Sequence, residues 1–182
     1  MMDPLSLIYE SEIVGNSKTQ QYIQSIFDSL VPSTQEGYFR YNGSIYLKNQ
    51  NMKKLPDFSN VFVDGNFDCS ENDLISLEGA PCFVSDGFDC SFCEIKSLAH
   101  APKYIGKYFD FSHNRVVSLG SIDMTDEPIA RSNIYGAIYT GGNLLSKKIP
   151  ETFYGPELPK WIEFEKMIGK YGEENGTTLN DL

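Results

Sequence analysis

Clustered positive charge is the first thing this chain lacks. Its 182 residues carry 25 acids against 15 bases, a net charge of -10, and the only adjacent bases are Lys53-Lys54 and Lys147-Lys148. Neutralising a phosphate backbone needs a basic patch, so nucleic acid is not expected as a partner. A protein with a basic surface suits the charge better. Acids outnumber bases 5 to 2 in residues 1–43, 11 to 7 in 44–124 and 9 to 6 in 125–182, so the excess is not an acidic tail.

Long apolar runs are also missing. Nothing approaches the roughly 18 apolar residues of a membrane helix, and Met1-Met2-Asp3-Pro4 opens without the basic and apolar regions of an export signal. The expectation is a cytoplasmic chain with no membrane partner. Four cysteines, Cys69, Cys82, Cys90 and Cys93, are then expected to be reduced. Cys90-x-x-Cys93 is half of a zinc spacing, and the second half is absent. The only histidines, His100 and His113, lie 13 apart with no Ser or Cys at a nucleophile elbow. Gly141-Gly142-Asn143 lacks the Lys-Ser/Thr of a phosphate loop. No enzyme, metal or cofactor is therefore expected.

What the chain does have is repetition. Within residues 66–117 one phrase occurs three times: Asn66-Phe67-Asp68-Cys69-Ser70, Gly87-Phe88-Asp89-Cys90-Ser91 and Tyr108-Phe109-Asp110-Phe111-Ser112. The period is 21 at four columns: Phe67, Phe88, Phe109; Cys69, Cys90, Phe111; Leu74, Ile95, Val116; Leu77, Leu98, Leu119. A weaker copy starts 22 residues earlier at Ile45-Tyr46-Leu47. Another starts 29 later at Ile138-Tyr139-Thr140, with an insertion at 123–132.

Phe67-x-Cys69-x-x-Asn72-x-Leu74 and Phe109-x-Phe111-x-x-Asn114-x-Val116 fit the pattern L-x-L-x-x-N-x-L. On these residues the chain resembles the leucine-rich-repeat proteins, and more narrowly their short-repeat branch in tailed phages and bacteria. The likeness covers 43–150. It implies an α+β solenoid of about five coils with a parallel sheet on one face and helical caps at both ends. It also implies a phage-encoded factor that binds and inhibits or redirects a host protein. Ile8-Tyr9-Glu10 resembles the cleavage sites of phage prohead proteases, which keeps a virion or assembly component open as an alternative. A metal-binding protein or enzyme with an unrecognised site is the second alternative.

Period-two alternation makes Phe67-x-Cys69 a short strand with those two side chains inward and Asn66, Asp68 and Ser70 outward. Asn72 and Asn114 turn inward to bond backbone groups freed by the next turn. The second copy has Cys93 in place of Asn, and the last has Thr140 inward, so irregularity is expected at both. With 21 residues per coil, Gly79-Ala80-Pro81 and Ala101-Pro102 are read as turns and extended chain rather than helix.

Residues 1–42 are read as an N-terminal helical cap: a first helix at 5–12, then one opened by Ser17-Lys18-Thr19-Gln20 whose face is Tyr22, Ile23, Ile26, Phe27 and Leu30. Residues 151–182 are read as a C-terminal cap helix, with Trp161, Phe164 and Ile168, followed by a tail.

The outward column should set Tyr46, Asp68, Asp89, Asp110 and Tyr139 side by side, about 4.8 Å apart. Together with Tyr108 these are the expected partner-binding residues. Two readings stay open: an acidic stripe that receives Lys or Arg from a partner protein, or a feature of the scaffold.

Overall fold

The computed structural model describes residues 17–116 and 137–143, together with the backbone of one further strand at Thr152–Phe153. After helix α1 (Ser17–Asp28) come β1 (Val31–Pro32), β2 (Phe39–Tyr41), β3 (Ile45–Tyr46), β4 (Val61–Val63) and β5 (Phe67–Asp68). They are followed by β6 (Phe83–Val84), β7 (Phe88–Asp89), β8 (Tyr104–Ile105), β9 (Phe109–Asp110), β10 (Ile138–Tyr139) and β11 (Thr152–Phe153).

These strands form a parallel-sheet β-solenoid of about 3 turns. The phrase found in the sequence builds one sheet, ordered β11-β10-β9-β7-β5-β3. Its register is the one the period demands: Phe67 faces Phe88, Phe88 faces Phe109, and Ile138 faces Phe109 across the longer gap. Only β11 runs antiparallel, covering the far edge against Ile138–Tyr139. The sequence reading placed Thr152 and Phe153 in the C-terminal cap.

A second sheet, β1-β2-β4-β6-β8, corrects the expectation of strands on one face only. From β2–β3 to β8–β9 each coil crosses a short corner, such as Asp64-Gly65-Asn66, and lays a strand in both sheets. The cause is a second inward column, Val63, Val84 and Ile105, which faces the core opposite the phenylalanine column. At Gly65 an added Cβ would lie 2.7 Å from the carbonyl of Gly43, so this corner has no room for a side chain.

Between the sheets lies one apolar core. Phe67, Phe88 and Phe109 are all but fully buried, with ring centroids 5.7 and 5.5 Å apart along the stack. Leu74, Leu77, Ile95, Leu98 and Val116 fill the return side. Helix α1 covers the start of the stack. Ile23 and Ile26 are buried, Phe27 stacks on Phe58 at 5.0 Å, and Tyr22 and Leu30 pack at the margin, as the three-and-four spacing predicts. The expected first helix at 5–12, the insertion and the C-terminal cap helix lie outside the described residues.

Inside the core runs a polar ladder. The side-chain oxygen of Asn72 accepts from the amides of Gln50 and Met52 at 2.9 and 3.0 Å, and its nitrogen donates to the carbonyls of Leu47, Cys69 and Ser70 at 2.8 to 3.1 Å. Asn114 repeats this two coils later, and Asn143 repeats it at the last. Each coil then turns through a left-handed residue: Asn49, Glu71, Phe92, His113 and Gly142 have φ of 54, 55, 52, 52 and 74°. His113 is accordingly an exposed turn residue, and Gly142 is the turn of the last copy. Among the described residues no buried side-chain nitrogen or oxygen lacks a partner.

Replacing Asn72 by Ala would take the side-chain partner from the amides of Gln50 and Met52 and the carbonyl of Leu47, while the Ser70 carbonyl keeps the Asn49 amide. The expected loss of unfolding free energy is about 2–4 kcal/mol in urea titration. Ser59→Ala at an exposed turn is expected to cost roughly 0.5 kcal/mol or less.

Candidate functional site

The outward face of the β3–β5–β7–β9–β10 sheet carries every residue singled out for partner binding. Strand register sets Tyr46 beside Asp68, Asp68 beside Asp89, Asp89 beside Asp110, and Asp110 beside Tyr139, in the order read from the period. Tyr46 is exposed, while the three Asp and Tyr139 are half-buried.

Each Asp also has a local structural job that the residue pattern carried but that hydrophobic periodicity did not reveal. Asp68 Oδ1 accepts from the Ser70 amide at 3.0 Å and the Ser70 hydroxyl at 2.6 Å. Asp89 does the same with Ser91 at 2.9 and 2.7 Å, and Asp110 accepts from the Ser112 amide at 2.9 Å. This is the Asx turn, in which a short carboxylate replaces a backbone acceptor two residues on. Ser70 and Ser91 are consequently buried, not outward as alternation suggests. Asp57-x-Ser59 makes the same turn away from this face. Three repetitions of Asp-x-Ser were the signal.

Burial raises the carboxyl of Asp89 above the usual carboxylate range. The Ser91 hydrogen bonds oppose the rise, and the flanking Asp110 and Asp68 add to it. Lys48, one strand outward, pairs with Glu71 at 2.9 Å and is raised by that pair first and by Asp68 and Asp89 after it. Its charge is felt by the column, and it was absent from the sequence expectation.

Tyr108 belongs to the neighbouring column, Asn66-Gly87-Tyr108, and leans back along it. A Cβ built on Gly87 would sit 2.0 Å from Tyr108 Cε1, so the missing side chain of Gly87 is what lets the ring lie there. Burial raises the phenol above its ordinary range, followed by the charges of Asp89, Asp68 and Asp110. The ring also meets Tyr139 edge-on, centroids 6.5 Å apart. At the opposite end the Tyr22 hydroxyl accepts from the amide of Tyr46 at 3.1 Å, which ties α1 to this face. The result is a row of carboxylates bounded by aromatic rings at both ends and along one side.

The cysteines belong to the interior. Cys69 and Cys90 are fully buried in the inward column that Phe111 continues, and burial raises both thiols well above their usual range. Cys93 takes the asparagine's place, raised by burial to about 11. All four cysteines are free thiols. Among the described residues no three His, Cys, Asp or Glu side chains converge to hold a metal ion: the aspartates stand in a row rather than around a point. No helix among them is long and apolar enough to cross a membrane.

The other sheet presents a second outward column that the sequence reading passed over. Arg40, Phe62, Phe83 and Tyr104 are in register, with Phe62–Phe83 at 5.6 Å, Phe83–Tyr104 stacked at 4.2 Å, and the Arg40 guanidinium 5.8 Å from the Phe62 ring. Phe62 and Phe83 meet edge-on, Phe83 and Tyr104 face to face, and all three rings are half-buried.

The raised carboxyl of Asp89 has a signed consequence. A carboxyl that holds its proton more tightly when folded contributes stability below the ordinary carboxylate range, and this is lost as pH rises through the raised value. Asp89→Asn keeps an oxygen for the Ser91 bonds and removes the charge. The variant is expected to melt above the parent at pH 7, with the gap closing as pH falls below the carboxylate range. A constant gap, or a lower melting temperature at pH 7, contradicts this.

Compared with known proteins, the chain matches no family model, no curated protein and no solved structure.

Proposed function

We propose that this chain is a non-enzymatic protein-binding module whose contact surface is the aspartate face, and whose partner presents Lys or Arg side chains. The observation that supports this most strongly is the register. It holds Asp68, Asp89 and Asp110 in adjacent strands of a rigid sheet, bounded by Tyr46, Tyr108 and Tyr139. Three like charges at strand spacing repel, and an incoming cation relieves this. Aromatic rings beside carboxylates suit a guanidinium or ammonium group with an apolar stem. The Asx turns do not compete with this role, because the Ser bonds engage one carboxylate oxygen, Oδ1, in each residue.

The finer architecture we propose is a leucine-rich-repeat solenoid of about five coils, closed by helical caps at both ends, with the turn-forming asparagines as its repeat signature. Resemblance to the short-repeat phage and bacterial branch favours a phage-encoded factor acting in the host cytoplasm, where it would bind and inhibit or redirect a host protein.

Changing Asp68, Asp89 and Asp110 together to Asn removes the charge while leaving an oxygen for each Ser bond. In affinity capture from lysate of the native host, the triple variant is expected to retain about tenfold less of the parent's partner at physiological salt. Asp57→Asn, the same turn placed off this face, should leave capture unchanged. Equal capture by the triple variant overturns the surface assignment.

A further inference from the structure

The polar ladder has one rung of different chemistry. Four equivalent amides point into the ladder along the solenoid, one at each rung. Met52 donates to Asn72 Oδ1 at 3.0 Å, Ile95 to Asn114 Oδ1 at 3.0 Å, and Val116 to Asn143 Oδ1 at 3.1 Å. The fourth, Leu74, points with Asn72 at the sulfur of Cys93. On the donor side, Asn114 offers two protons to the carbonyls of Cys90, Phe111 and Ser112 at 2.9 to 3.2 Å. Cys93 has a single thiol proton for the carbonyls of Cys69 and Ser91, each 3.6 Å from the sulfur.

Sulfur is a weak acceptor and a thiol a weak donor, so this rung returns less for the same buried backbone groups. The backbone path does not compensate, since Phe92 makes the same left-handed turn as Glu71 and His113. Cys69 and Cys90, which replace the bulkier inward Phe111, lie in the same layer and are fully buried.

We propose that the Cys93 rung is where the solenoid opens first, a hinge in its middle whose opening uncovers the thiols of Cys69, Cys90 and Cys93. Chain-end fraying predicts the reverse order, because Leu74 sits between Met52 and Ile95 and would be the best protected of the three. That contrast makes the proposal decidable.

Native-state amide exchange on the full chain reads it directly. The Leu74 amide is expected to exchange about tenfold faster than those of Met52 and Ile95, the factor that one weakened buried hydrogen bond supplies. Cys93→Asn should bring Leu74 level with Ile95. Asn72→Cys, which moves the thiol one rung earlier, should make Met52 fast in its turn, and it serves if the first variant does not fold. Maleimide labelling gives a second readout: half-buried Cys82 should react first, and the slow labelling of Cys69 and Cys90 should slow further in Cys93→Asn. Leu74 exchanging no faster than Ile95 in the parent, or Asn72→Cys leaving Met52 unchanged, overturns the proposal.

Discussion

The fold of the described residues depends on coil-to-coil registration: strands of only two or three residues, most of them hydrogen-bonded in parallel to an equivalent strand about 21 residues away. An isolated two-residue strand has no stability of its own. Here the backbone bonds alternate in direction. Phe67 and Cys69 donate forward to Gly87 and Asp89, while Ser85 and Gly106 donate back to Val63 and Val84. Every coil is therefore held by both neighbours. The inward phenylalanines supply the apolar burial, and the asparagines supply partners for backbone groups that so tight a turn would otherwise leave bare in the core. Neither works alone, because an apolar stack without the asparagines would bury unpaired amides and carbonyls.

The same registration accounts for the aspartate face. A side chain placed outward in one coil is placed outward in the next, so any residue that recurs for a local reason becomes a column. Asp recurs because its carboxylate closes the turn after the strand through Ser70, Ser91 and Ser112. Three charges in a row are then a by-product of local chemistry that a partner can use. The scaffold and binding readings of this column are two consequences of one residue choice. At the central Asp89, burial raises the carboxyl and the flanking Asp110 and Asp68 add to the rise. Tyr108 depends on the same geometry, since it lies over Gly87 only because the equivalent position one coil earlier has no side chain.

Much of this was legible in the residues. The period of 21, with its steps of 22 and 29, gave the parallel pairs of facing residues in the phenylalanine sheet and the inward role of Asn72 and Asn114, but not the antiparallel β11. The second sheet was missed although its own columns, Phe62-Phe83-Tyr104 and Val63-Val84-Ile105, recur at the same period. Those runs are two or three residues long and follow Pro-containing turns, so local pattern made them extended linkers, and only pairing with neighbours makes them strands. Ser70 was misplaced because alternation treats polarity as exposure, whereas its hydroxyl is buried and satisfied by Asp68. At Cys93 the expected irregularity is one of bonding and not of backbone path. Of the site, the aligned column was readable. Lys48 and the role of Gly87 were not, because both rest on side-chain directions across coils.

Registration is measured most directly by backbone nuclear Overhauser contacts in the labelled full chain. Cross-strand contacts are predicted between Asp68 and Asp89, between Asp89 and Asp110, and between Asp110 and Tyr139, all in parallel pattern. A slip of one residue in any pair, an antiparallel pattern, or no contact between these strands would contradict the solenoid and dissolve the aspartate face with it.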